Sequence, residues 1–80
     1  MEKNDIIKQI NKIFIDILED DSIVLTEQTS AADLAAWDSL NHIQIITAIE
    51  KFYNIRFELD DLLNFENVGD LCNGVQNRLK

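Results

Sequence analysis

Ser39 is the residue on which chemistry can be built. It lies in the stretch Ala36-Trp37-Asp38-Ser39-Leu40-Asn41-His42-Ile43, near the middle of an 80-residue chain. A serine hydroxyl becomes a nucleophile when a nearby imidazole takes its proton, and His42, three residues on, can share a helix face with Ser39. That use also needs an acid to orient the imidazole, an oxyanion hole and a pocket. A chain this short with no glycine-rich elbow offers little for the last two, so no catalytic group is assigned and His42 is read as a surface residue. Esterification suits Ser39 better. Asp38 is a good N-cap, because its carboxylate can accept from the free N–H groups of a first helical turn. Ser39 then occupies the first helical position, where the positive end of the helix dipole and unpaired N–H groups favour a phosphate ester. Asp38, Ser39 and Leu40 are the candidate attachment triplet.

The elements that must hold this triplet are helical. Ile6, Ile7, Ile10, Ile13, Phe14, Ile17 and Leu18 follow the spacing of a core-facing stripe and predict a first helix over 4–20, capped by Asn4 or Asp5. Glu19-Asp20-Asp21 puts the wrong charge sign at a helix C-terminus and marks an exit into a loop. Residues 21–38 lack Gly and Pro yet hold no sustained period. Ile23, Val24, Leu25 and Leu34 are apolar islands that make so long a connection tolerable if they fold back to plug the end of a bundle, and Asp33-Leu34 can form a short turn. A second helix is predicted over 39–53. Its stripe is Leu40, Ile43, Ile46, Ile49 and Tyr53, and Ile45, Ala48 and Phe52 make more than one face apolar, as expected of a central helix. Leu59, Leu62, Leu63 and Phe65 suggest one or two turns closing a hydrophobic cleft, capped by Asp60 or Asp61. A last helix over 67–79 starts at the cap Asn67 and packs through Val68, Leu71, Cys72, Val75 and Leu79. Gly69 and Gly74 each cost up to about 1 kcal/mol relative to alanine in a helix interior, which marks this helix as the first to fray. The expected fold is all-α, a small antiparallel four-helix bundle of three main helices and one short one, in a single domain over 1–80.

Composition narrows the function. Apolar residues make up 46% of the chain, enough for a packed core. The net charge of −8 argues against nucleic acid and anionic membrane surfaces, and favours partners with basic docking patches. The one cysteine, Cys72, excludes an internal disulfide and sits on an apolar stripe, where an inert buried thiol is expected. No signal peptide or membrane-length apolar run is present, so a cytoplasmic protein without membrane insertion is expected; a monomer is the expected state. The acidic clusters lack the spacing of a calcium loop, and no metal ligand set appears.

Three features together resemble the acyl carrier protein family. They are Trp37-Asp38-Ser39-Leu40, then Ile55-Arg56-Phe57 leading into a short acidic helix, then Asn67-Val68-Gly69-Asp70-Leu71 opening the last helix. The resemblance covers nearly the whole chain. It implies a 4′-phosphopantetheine arm from coenzyme A, placed on Ser39 by a phosphopantetheinyl transferase. The arm's thiol would hold acyl groups for an acyl-activating ligase and for acyl-transferring or condensing enzymes. It implies a carrier, not an enzyme, and a loop like that over 21–38. Trp37, Asn41, His42, Gln44 and Glu50 are expected to meet partners, with Trp37 also packing the loop against the helix start. The sequence departs from the fatty-acid-synthesis members, whose second helix is strongly acidic on its exposed face: here Asn41 and Gln44 are neutral and Lys51 is basic. A specialised secondary-metabolite, polyketide or modified-lipid pathway is therefore expected, with Asp60 and Asp61 of the short helix supplying part of the docking charge. Ile43, Ile46, Ile49, Leu59 and Leu62 are candidates to shelter cargo. An aminoacyl or peptidyl carrier is the alternative within the fold, and a cofactor-free helical interaction module the alternative outside it.

Overall fold

Helices form where apolar residues recur at three- and four-residue spacing, and α1 (Lys3–Leu18) is the clearest case. The computed structural model describes residues 2–34, 36–63 and 65–79; the Leu63 side chain, expected in the cleft, lies outside the described residues. α1 buries Ile6, Ile10, Ile13 and Phe14, with Ile7, Ile17 and Leu18 partly covered beside them. Neither Asn4 nor Asp5 caps it. The N-cap is Glu2, whose carbonyl accepts from the N–H groups of Asp5 and Ile6 at 3.1 and 3.2 Å, while its side chain makes no capping bond. Lys3, paired with Glu27 at 2.6 Å, anchors this earlier start. The helix stops at Leu18 because Glu19 turns left-handed, with φ 54°.

The connection that follows is pinned at both ends. Asn11 on α1 takes the Leu25 N–H on Oδ1 at 2.7 Å and donates from Nδ2 to the Ile23 carbonyl at 3.2 Å. Ile23 and Leu25 on either side turn inward and are buried. Val24 between them is 82% exposed, so it plugs nothing, because successive side chains of an extended segment point to opposite sides. Farther on, the carbonyls of Glu27 and Thr29 accept from the N–H groups of Gly69 and Val68 at 2.9 and 2.8 Å. The loop thereby satisfies donors that a helix start leaves unpaired. Asp33 closes a turn, not a helix: its carboxylate accepts from the Ser30 N–H at 3.0 Å.

α2 (Ser39–Tyr53) has the expected bounds, but its expected stripe is corrected. The buried line is Ile45, Ile46 and Ile49. Leu40 and Ile43 are 68% and 64% exposed, and Phe52 is exposed as well. The second apolar face therefore meets solvent, and α1, packed on both α2 and α4, is the central helix. α3 (Leu59–Leu63) is one short turn. Asp60 and Asp61 lie inside it and do not cap it from outside. Asp61, the third helical residue, reaches back to accept from the Glu58 N–H at 3.1 Å.

α4 (Val68–Leu79) is capped as expected, with Asn67 Oδ1 accepting from the Asp70 N–H at 2.9 Å. It buries Val68, Leu71, Cys72 and Val75 completely. Its glycines mark close approaches. A Cβ on Gly69 would stand 3.0 Å from the Glu27 carbonyl oxygen, and one on Gly74 2.8 Å from the Phe65 ring. Burial pushes the Cys72 thiol up to about 11, which fits an inert side chain. The chain folds as a four-helix bundle, with no strand among the described residues.

Candidate functional site

Ser39 stands where the loop becomes α2, as its first residue, and is exposed. Asp38 before it is extended, with φ −99° and ψ −176°. Its Oδ1 accepts from the Asn41 N–H at 2.9 Å and its carbonyl from the His42 N–H at 2.8 Å. The N–H groups of Ser39 and Leu40 have no intrahelical acceptor, so an anion on Ser39 Oγ sits beside unclaimed donors at the positive end of the dipole.

Two side chains of the first turn reach back over Ser39 to the loop. Asn41 Nδ2 donates to the Ala36 carbonyl at 2.7 Å. The Trp37 indole N–H donates to Nδ1 of His42 at 2.9 Å, with the two rings stacked at 5.9 Å and 29°. Trp37 is 5% exposed and also meets Phe14 of α1 edge-on, with centroids 5.0 Å apart. An open groove of about 670 Å³ runs past this corner. Trp37, Ser39, His42 and Ile43 form one side, Leu62 and Phe65 the other, and Ala31, Asp38 and Glu66 complete the lining. The volume falls in the ordinary range for small-molecule sites. An exposed hydroxyl, free N–H groups and an apolar wall fit a phosphodiester that bears a long, partly apolar arm.

The expected partner-contact residues divide sharply. Trp37 packs the loop against the helix start as expected, its ring covered by Phe14 and His42, and it also lines the groove beside Ser39. His42, expected at the surface, is half-buried and bonded to Trp37; burial pushes its pKa below the ordinary imidazole value. The same bond removes it from any Ser-His pair. Asn41 is occupied by the corner itself. Glu50 is occupied too, since Oε2 accepts from the Phe57 N–H at 2.8 Å. Asp61 is paired with Arg78, and that guanidinium and the Glu58 N–H hold its carboxyl below the usual range. Its carboxylate therefore has partners within the molecule, in a pair that water still reaches. Gln44 and Asp60 remain exposed. Of the residues expected to shelter cargo, Ile43 and Leu62 line the groove. Ile46 and Ile49 are buried in the core, and Leu59, 71% exposed, stands outside the lining. Ala31 and Glu66 were not legible as part of the site, because only the return of the long loop and the end of α3 bring them to it.

Among the described residues no helix is long and apolar enough to cross a membrane, and no group of three or more potential ligands gathers to hold a metal. Residues 8–75 match the family model described as "Phosphopantetheine attachment site". The chain is 30% identical over 76 residues to an acyl carrier protein of Phenylobacterium zucineum, which covers 95% of this chain and 96% of that one. It is 31% identical over 67 residues to an acyl carrier protein of Caulobacter vibrioides, covering 84% of this chain and 86% of the relative. Among solved structures, the solution NMR structure of holo acyl carrier protein from Geobacter metallireducens superposes with a TM-score of 0.86 at 45% identity, covering 91% of this chain and 84% of that one.

Proposed function

The chain belongs to the acyl carrier protein family, whose members carry a covalent phosphopantetheine and are not catalysts, and we propose that Ser39 is the residue that bears the arm. The observation that carries this reading is the exposure of Ser39 at the first position of α2, where first-turn N–H groups have no intrahelical acceptor, at the rim of an open groove. In the loading step the Ser39 Oγ–P bond forms and the bond joining the two phosphates of coenzyme A breaks. The 3′,5′-ADP portion leaves, and the serine proton passes to a base of the transferase. The arm's terminal thiol supplies the chemistry, holding an acyl group as a thioester. The chain's own residues present the hydroxyl, fix the corner and offer Ile43, Leu62 and Phe65 as an apolar wall. Tethering raises the local concentration of cargo at each enzyme the carrier docks with.

The partners are a phosphopantetheinyl transferase and acyl-handling enzymes, and the pathway is a specialised one rather than housekeeping fatty-acid synthesis. Support comes from the outer face of α2. With Glu50 turned to the Phe57 N–H, that face offers Leu40, Ile43, Gln44, Thr47 and Lys51 where a basic partner would seek carboxylates. Intact mass after incubation with coenzyme A, magnesium and a broad-specificity transferase tests the attachment. One phosphopantetheine added to the wild type and none to Ser39→Ala is expected. An unchanged gain in Ser39→Ala would remove Ser39 from the role. Mass analysis of the cargo on protein purified from its own cell then separates acyl from aminoacyl carriage.

A further inference from the structure

The corner that presents Ser39 is held by a bond that only one charge state of His42 permits. Trp37 precedes the serine by two residues and His42 follows it by three, so the bond between their side chains spans the site. An indole N–H can only donate, so Nδ1 of His42 must carry no proton, and the neutral ring holds its hydrogen on Nε2. Protonation turns Nδ1 into a donor. Two donors then face each other at 2.9 Å, and the bond is replaced by a repulsion.

We propose that Trp37 and His42 are positioning residues for Ser39: with the imidazole neutral, their bond locks the loop to the first turn of α2 in the form that a transferase engages, and protonation of His42 releases that lock and slows modification. The proposal rests on Ser39 being the attachment residue. Neither side chain bonds to the serine hydroxyl, so both act through the backbone of the corner. Trp37 is well suited to transmit the change. Its ring lies against Phe14 of α1 on one side and His42 on the other, and its backbone N–H donates to the Leu34 carbonyl at 3.0 Å. A shift at the imidazole therefore moves a residue anchored in both core and loop. The Asn41 bond to the Ala36 carbonyl is indifferent to pH, so the corner loosens without unfolding.

The charged groups that share the groove with His42 are Asp38 at the head of α2 and Glu66 after α3, and α1 meets this corner through apolar Phe14. Both carboxylates are exposed, where water screens their pull on the ring, and burial sets the direction of its shift, downward. The lock is therefore closed near neutral pH and opens as pH falls below the ordinary imidazole value of about 6.5.

Trp37 is the only tryptophan, so its emission reads the lock directly and needs no modification of Ser39. Titration of the unmutated protein is expected to give one transition centred below about pH 6.5, absent in His42→Gln, whose amide oxygen still accepts from the indole. The second arm is the rate of phosphopantetheine addition, taken as the ratio of wild type to His42→Gln at each pH so that the transferase's own titration cancels. That ratio is expected to fall severalfold through the same transition. Trp37→Phe, which keeps a ring against Phe14 but has no donor, is expected to be modified more slowly than wild type near neutral pH and with no such fall. Tryptophan emission that does not titrate with His42, or a ratio flat in pH, overturns the lock. A wild type that gains no mass at any pH instead sinks the attachment reading, and the emission titration still reports on the bond.

Discussion

Gly74→Ala sets two physical effects against each other on a helix face far in sequence from Ser39. Helix propensity alone predicts a gain, since alanine is better than glycine in a helix interior by about 0.8–1 kcal/mol. The packing predicts a loss. The new Cβ would stand 2.8 and 2.9 Å from two atoms of the Phe65 ring and 3.2 Å from the Phe57 ring, where carbon atoms rest best at about 3.5–4 Å. Relief requires Phe65 to move by roughly half an ångström or more. That ring is not free to do so, because it packs edge-on against Phe57 with centroids 5.2 Å apart, and Phe57 is buried. Overfilling a packed site costs about 1–3 kcal/mol, so the net expectation is a destabilisation of about 1 kcal/mol, with an upper bound near 2. Urea unfolding followed by circular dichroism measures it as a lower midpoint at an unchanged slope. Phe65→Leu in the same chain removes the ring edge and should turn the alanine effect favourable, so the double-mutant cycle isolates the clash. If Gly74→Ala alone raises the midpoint, the close approach has no energetic weight and the reasoning fails. Because Phe65 also walls the groove beside Ser39, the shifted ring should alter how the groove holds an acyl chain.

Two further substitutions probe how the loop and α1 are held. Asn11→Ala removes both bonds from the half-buried amide to Ile23 and Leu25, leaving a backbone donor and acceptor unpaired. A loss of about 2 kcal/mol is expected in the same urea assay, with Asn11→Asp recovering only the bond to the Leu25 N–H. Glu19→Gly relieves a left-handed residue at φ 54° and removes a negative charge from the negative end of α1. A gain of about 1 kcal/mol, seen as a rise in Tm of roughly 4–8 °C, is expected, and no gain would mean that the left-handed turn is unstrained.

The sequence made the bundle legible because its main helices bury regular stripes. Ser39–Tyr53 was readable to the residue, since Asp38 is a cap whose geometry is local and Asn54 ends the helix with φ 55°. The placement of Ser39 at the helix start was legible for the same reason: a cap and a first turn are neighbours in sequence. The internal bonds of the residues expected to meet partners were the least legible part. Glu50, Asp61 and His42 all look like surface groups along the chain, and each is claimed by an atom that sequence alone does not bring near. Glu50 reaches seven residues on to Phe57, and Asp61 seventeen residues on to Arg78. Leu40 and Ile43 failed in the opposite direction. Periodicity assigned them to the core, but α2 has only one side against α1, and apolar spacing does not say which of two apolar faces is covered.

That uncovered face bears on what the bundle is built to do. Fully burying a leucine or isoleucine side chain is worth about 1.5–3 kcal/mol, so leaving both Leu40 and Ile43 in water forgoes a stabilisation comparable to much of a small domain's net stability. The fold does not require it. Ile45, Ile46 and Ile49 close the core of α2, and Leu40 and Ile43 stand outside the buried cluster. Their placement is accounted for by what stands next to them. Ile43 walls the groove that Ser39 borders, and Leu40 follows the serine directly in the chain. Under the proposed attachment, Ser39 has to be reached by a transferase and so cannot sit in the core, and the surface around it gains binding energy only where apolar area waits to be covered. The Trp37–His42 bond answers the opposite demand. It fixes the corner through the buried Trp37 ring and the half-buried His42 ring, and leaves Ser39 exposed. Stability is thus drawn from α1 and α4, while the head of α2 is kept exposed, apolar and rigid, the combination that docking to a succession of acyl-handling enzymes requires.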